Sequence, residues 1–111
     1  MNAIPKAPKH LSAESKSWWA ALMSEYDLDD PSAKLILQSG LEALDRLRQA
    51  QAIVEREGVT QVDRFGQARA HPATVVERDS RSAVLAALKA LHLDVEPLQA
   101  SVGRPASNKA R

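Results

Sequence analysis

The sequence predicts a mainly α-helical chain with three principal helices, over about residues 12–26, 31–57 and 72–92. A short β-hairpin or extended turn is expected at about 59–71, between the last two. Three observations carry this. Apolar residues recur at helical spacing over long stretches, and helix-start signals stand at Ser12, Asp30-Pro31 and His71-Pro72. Aromatic content is low, with two Trp, one Tyr and one Phe, so the core must rest on Leu, Val, Ile and Ala, which suits helix packing. At 111 residues the chain fits one small domain. It divides into a flexible arm over 1–10, a helical body over 11–95 and a flexible basic tail over 96–111.

The first helix opens at Ser12, which can cap, with Glu14 suiting the positive helix end and Leu11 placed to staple back onto the first turn. Leu11, Ser15, Trp18, Leu22 and Tyr26 fall along one side. Trp18 and Trp19 are adjacent and point roughly 100° apart on a helix, so one suits the core and the other its edge or a partner.

Asp30-Pro31 starts the second helix: Asp caps, and Pro at the first helical position loses no hydrogen bond. Asp27, Asp29 and Asp30 lack the spacing and glycine of a calcium loop, so capping, not metal binding, is the expected role. No proline interrupts from Pro31 to Glu57, and Gly58 supplies the stop. The helix is therefore ~27 residues and ~40 Å long. Gly40 marks a bend or a close helix contact. A rod this long exceeds what a domain of this size needs, so Trp19, Leu37, Leu41, Leu44 and Leu47 are expected to meet another subunit.

Val59, Thr60 and Val62 favour extended structure, and Gly66 sits where the chain can reverse. A hairpin pairing roughly 59–63 with 67–71 is too short to stand alone and is expected to lie on the helices. Proline pushes His71 out of helical geometry and opens the last helix at Pro72. Val75, Val76, Ala83, Val84, Ala87, Leu88 and Leu91 should face inward, and Glu77, Arg78, Arg81 and Lys89 outward.

The net charge of +1 gives no whole-chain nucleic-acid footprint. Its distribution is less even. Lys6, Lys9 and Lys16 face only Glu14 at the front, and Arg104, Lys109 and Arg111 close the chain without an acid. Solvated tails are the plain reading and anion contact the functional one. The chain has no cysteine, so it forms no disulfide or thiolate metal site. The front has no apolar core of a signal peptide, and nowhere do ~18 apolar residues run together. The chain thus reads as cytosolic.

No phosphate-binding loop, dinucleotide glycine pattern, nucleophile elbow or zinc motif occurs. His10, His71 and His92 have no spacing for shared ligation, and His92 is explained by the negative end of the last helix. A binder is expected, with no enzyme activity, cofactor or metal.

The order of parts resembles the small subunit of phage terminases, in the family of tailed phages that package DNA with cohesive ends. The likeness runs from about Leu11 to Leu93. It rests on Trp18 or Trp19 in "SWW", Gly58 in "EREG", Gly66 in "FG", His71-Pro72 in "HPA", and Leu91 with Leu93 in "LKALHL". In the family these positions look architectural. The family usually has Asn where His71 stands and Gly where His92 stands. It typically has a Pro followed closely by Arg after the last long helix, where this chain has Val95-Glu96-Pro97-Leu98. The resemblance implies a non-catalytic, ring-forming subunit in the host-cell cytoplasm, whose partners are double-stranded phage DNA, the large ATPase and nuclease subunit, and itself. Lys6, Lys9, Lys16, Arg64, Arg69, Arg104, Lys109 and Arg111 are the candidate DNA contacts. Asp30, Pro31, Gly58, Gly66, His71 and Pro72 are the candidate caps and turns. The competing expectation is a structural or adaptor helical oligomer that never touches DNA.

Overall fold

The computed structural model describes residues 4–93. In chain order these form α1 (Ala13–Glu25), α2 (Pro31–Glu57), β1 (Thr60–Val62), β2 (Ala68–Ala70) and α3 (Pro72–Ala90). The mainly α fold with a short hairpin is the one the sequence predicts. Ser12 accepts from the Ser15 N–H as the cap of α1, which therefore starts one residue later than the expected span.

The spine is α2, which buries Ala33, Leu37, Gly40, Leu41, Leu44, Leu47 and Ala50 along one stripe. Leu11, Trp19 and Leu28 close over it from the α1 side. Here the expected subunit contact is corrected. Trp19 is 4 %, Leu37 2 %, Leu41 6 %, Leu44 8 % and Leu47 6 % exposed, so these five side chains form the chain's own core. Two helices cover the stripe that one helix alone would leave bare.

The α1–α2 contact has a polar seam. Ser15 is fully buried, with its Oγ 2.6 Å from Asp45 Oδ1 and 3.1 Å from the Leu41 carbonyl oxygen. Asp45 also accepts from the Ser12 backbone N–H at 2.9 Å and from its hydroxyl at 2.5 Å. Partial burial pushes the Asp45 carboxyl up, but the Ser12 and Ser15 donors outweigh it and hold the group below its ordinary value. Beside it, Arg48 donates to both oxygens of Glu14, from Nε at 3.0 Å and Nη2 at 2.9 Å.

The two tryptophans divide into one core and one edge residue as expected, but Trp19, expected at the subunit contact, is the buried one, and Trp18, expected on the apolar side, is 48 % exposed. A buried indole needs a partner for its N–H, and Trp19 donates to the Pro5 carbonyl at 2.8 Å. That bond, with His10 Nε2 at 2.7 Å from Glu42, seats residues 4–10 on the body, where a flexible arm was expected. The expected tail over 96–111 lies outside the described residues.

The hairpin pairs Thr60 with Ala70, Gln61 with Arg69 and Val62 with Ala68. It does not lie on the helices as expected, and every strand residue is exposed. Its turn is self-supporting instead. Asp63 Oδ1 accepts from the Phe65 and Gln67 N–H groups at 2.9 and 3.0 Å, Oδ2 accepts from Arg69 at 2.9 Å, and Gly66 takes a φ of 79°. The Gln67 N–H, then Arg69, hold the Asp63 carboxyl below its ordinary value.

α3 returns along α2, which is its main neighbour among the described residues. Val84, Ala87, Leu88 and Leu91 are half-buried, while Val75, Val76 and Ala83, expected inward, are exposed. The apolar stripe of α3 is wider than the surface α2 offers it.

Candidate functional site

Two surface features stand out. The first is a basic hollow of about 530 Å³ whose lining includes Pro5, Lys6, Lys9, Lys16 and Trp19. Lys6 and Lys9 reach it because the Trp19–Pro5 bond fixes the front segment across α1. Lys16 reaches it from the exposed side of α1 itself. Among the described residues none of the three lysines is ion-paired. Three uncancelled ammonium groups around one concavity favour an anion such as a phosphate.

Arg64 and Arg69 stand on a different element, the hairpin. Arg69 is committed to Asp63, and the Arg64 guanidinium lies 5.0 Å from the Phe65 ring centroid, a cation–π distance. Arg104, Lys109 and Arg111 lie outside the described residues. The structure thus gathers three of the eight candidate DNA contacts.

The second feature pairs an apolar protrusion with an apolar groove. Val59, Val62 and Phe65 are 60 %, 70 % and 72 % exposed on the hairpin. A groove of about 290 Å³ runs between the helices, lined by Trp18, Leu22, Tyr26, Leu44, Leu88 and Leu93 among others. Sequence reasoning placed Leu44 in an expected subunit contact, but none of Val59, Val62, Phe65, Leu22, Tyr26, Leu88 and Leu93 at a functional surface. The available signal was Phe65, the chain's one phenylalanine, set in a polar turn where nothing can bury it.

The candidate caps hold element ends. Asp30 accepts from the Ala33 N–H at 3.3 Å to start α2, and Pro31 follows it. Gly58 ends α2 at a φ of 90°. His71 caps α3: Nδ1 accepts from the Ala73 N–H at 3.0 Å, and Nε2 lies 2.7 Å from Glu57 Oε1. A ring that accepts at Nδ1 carries its proton at Nε2, so it donates to Glu57 and ties the end of α2 to the start of α3. This bond, then Arg56, holds the Glu57 carboxyl below its ordinary value. Both ring nitrogens therefore have structural partners.

Among the described residues no three or more His, Cys, Asp or Glu side chains are grouped to hold a metal ion. None of the described helices is long and apolar enough to cross a membrane. No family model, curated protein or solved structure matches the chain. The lysine hollow and the hairpin with its groove remain as the surfaces on which a binding function can be built.

Proposed function

We propose that this chain is a terminase small subunit: a non-catalytic, self-assembling protein that engages viral DNA in the host cell and presents it to a large ATPase and nuclease subunit. The observation that carries the proposal is the convergence of Lys6, Lys9 and Lys16 on one hollow. The order of helices, glycines and His71-Pro72 that resembles the terminase family supports it. Ammonium groups on an exposed concavity contact phosphates and read little sequence. Each phosphate neutralised adds about 0.9 to the salt slope of binding, so one subunit binds weakly. Assembly multiplies the contacts along one duplex.

Fluorescence anisotropy with a labelled duplex, over about 50–200 mM salt, tests the proposal. The triple variant Lys6→Gln, Lys9→Gln, Lys16→Gln should lose at least about tenfold in affinity and show a flatter salt slope, with an unchanged circular dichroism spectrum. Wild-type affinity in that variant would move the contacts elsewhere, with Arg104, Lys109 and Arg111 next to be removed. Absence of any DNA binding at low salt would favour the adaptor reading, to which the exposed apolar hairpin lends its own support.

A further inference from the structure

We infer that the hairpin of one copy seats in the three-helix groove of the next, so that the chain assembles head to tail. This deepens the self-assembly in the proposed function and replaces the long helix faces as its contact.

The protrusion is built for contact. Val59, Val62 and Phe65 are each at least 60 % exposed, on an element whose own turn bonds hold its shape without the helices. Large exposed apolar side chains grouped on one short element are candidates for an interaction site, because monomers rarely expose large apolar patches without a use for them. Arg64 over Phe65 adds a cation on an aromatic ring, the pairing found at the energetic centres of interfaces.

The groove has matching chemistry. Trp18, Leu22, Tyr26, Leu44, Leu88 and Leu93 give it an apolar lining, and Arg48 at its margin is already matched by Glu14. Charge complementarity names the occupant. Asp27 and His92, the chain neighbours of the groove residues Tyr26 and Leu93, line a second hollow together with Asp30, and Asp29 is exposed between Asp27 and Asp30 in the chain. Asp27 and Asp29 have no ion-pair partner among the described residues, and neither has Arg64. Seating Phe65 in the groove brings the Arg64 charge to that acidic turn.

The two surfaces cannot satisfy each other within one chain. The hairpin leaves the end of α2, where Glu57 and His71 pin its base at 2.7 Å. The groove lies around Leu44, ~20 Å back along the helix at ~1.5 Å per residue. Strands of three residues span only ~10 Å at ~3.4 Å per residue. Two different patches of one chain that fit each other form a heterologous contact, which ends in a ring when the rotation closes and in a filament when it does not.

The test uses two surface variants of the full chain. Phe65→Glu destroys the protrusion and Trp18→Glu the groove; both side chains are substantially exposed, so the fold survives, as circular dichroism will check. Light scattering after size exclusion should find wild type as a discrete oligomer and each variant alone as a monomer. Mixing the two should give a one-to-one dimer, because one intact protrusion still meets one intact groove. Arg64→Asp should weaken assembly, and Asp27→Arg in the same chain should restore it. A Phe65→Glu protein that assembles like wild type, or a mixture that stays monomeric, overturns the inference. Anisotropy on the same samples separates the two proposals: normal assembly of Phe65→Glu with intact DNA binding sinks only the docking. A wild type that is monomeric and ignores DNA sinks both.

Discussion

Gly40 in α2 and Ala87 in α3 meet so closely that a Cβ built on Gly40 would lie 2.6 Å from the Ala87 Cβ. No pair of real Cβ atoms sits at that separation, so the missing methyl group is what lets the two helices approach. Glycine inside a helix costs about 0.5–1 kcal/mol relative to alanine. Here the closer packing of α3 onto the middle of α2 offsets that cost. The same approach places Leu41, Leu44, Val84 and Leu88 around the apolar groove, so the crossing point also shapes the surface proposed for assembly.

Gly40→Ala should therefore destabilise the fold despite its better helix propensity. Overpacking costs about 1–3 kcal/mol, against a propensity gain of at most about 1 kcal/mol. Adding Ala87→Gly moves the methyl group from one helix to the other and should recover most of the loss. Urea unfolding of the four combinations measures the coupling. A Gly40→Ala protein at least as stable as wild type would remove the close-approach argument.

The helix boundaries were legible because their signals are local. Asp30-Pro31 and Gly58 bracket α2, and His71-Pro72 starts α3, each through chemistry of adjacent residues. What covers an apolar stripe is not local. Periodicity marks Leu37, Leu41, Leu44 and Leu47 as one face, but it is silent on whether α1 and α3 or another subunit lies over it. Likewise the choice between Trp18 and Trp19 turns on the Pro5 carbonyl, far away in the chain. The lysine hollow was half legible: the charges could be counted, but their convergence depends on that same bond.

Acid should release α1 before it separates α2 from α3. Glu14 is held below its ordinary value by Arg48, Glu42 by Gln38 and then His10, and Asp45 by its serine donors against burial. A carboxyl lowered on folding contributes stability that is complete above its unfolded pKa and lost as pH falls through its folded one. The window therefore opens below about pH 4. All three groups bind α1 or the segment before it to α2, whereas the lowered carboxyl of Glu57 ties α3 to α2 only at the end of the pair, and the middle of α3 meets α2 through apolar atoms such as Ala87. Tryptophan fluorescence, which reports only α1, should change at a higher pH than far-UV ellipticity. Coincident transitions, or an Asp45→Asn protein with an unshifted fluorescence midpoint, would show that the seam is not the weak joint.

His92 stands at a φ of 61°, in left-handed backbone. The His92 N–H donates to Lys89 at 2.9 Å and the Leu93 N–H to Leu88 at 2.8 Å, the two bonds of a Schellman cap, whose left-handed residue is usually glycine. His92→Gly should stabilise the protein by roughly 0.5–1 kcal/mol, since relief of left-handed strain outweighs the added freedom of the unfolded chain. A rise of a few degrees in Tm is expected, with His92→Asn between the two. Unchanged or lowered melting in both variants would show that the histidine side chain earns its place by a contact.

Gly66 takes a φ of 79°, and a Cβ added there meets nothing within 4 Å. The cost of a larger residue is therefore backbone strain alone, about 1–3 kcal/mol for a β-branched side chain. Because every strand residue of the hairpin is exposed, little of that strain reaches the helices, and Gly66→Val should open the turn locally and leave the global Tm almost unchanged. Amide exchange at Asp63 and Gly66, whose N–H groups bond across the turn to Gln67 and Asp63, should accelerate by about ten- to a hundredfold, as the strain dictates at about 1.4 kcal/mol per decade. If the hairpin seats in a neighbouring groove, the same variant should also weaken assembly, since Phe65 would lose its fixed position beside Gly66. Gly66→Asn, which tolerates left-handed backbone, should keep both the turn and the assembly. Equal exchange rates in the valine variant and wild type would mean that the turn does not hold this conformation in solution. Fast exchange with undiminished assembly would mean that the hairpin's shape is irrelevant to how copies meet.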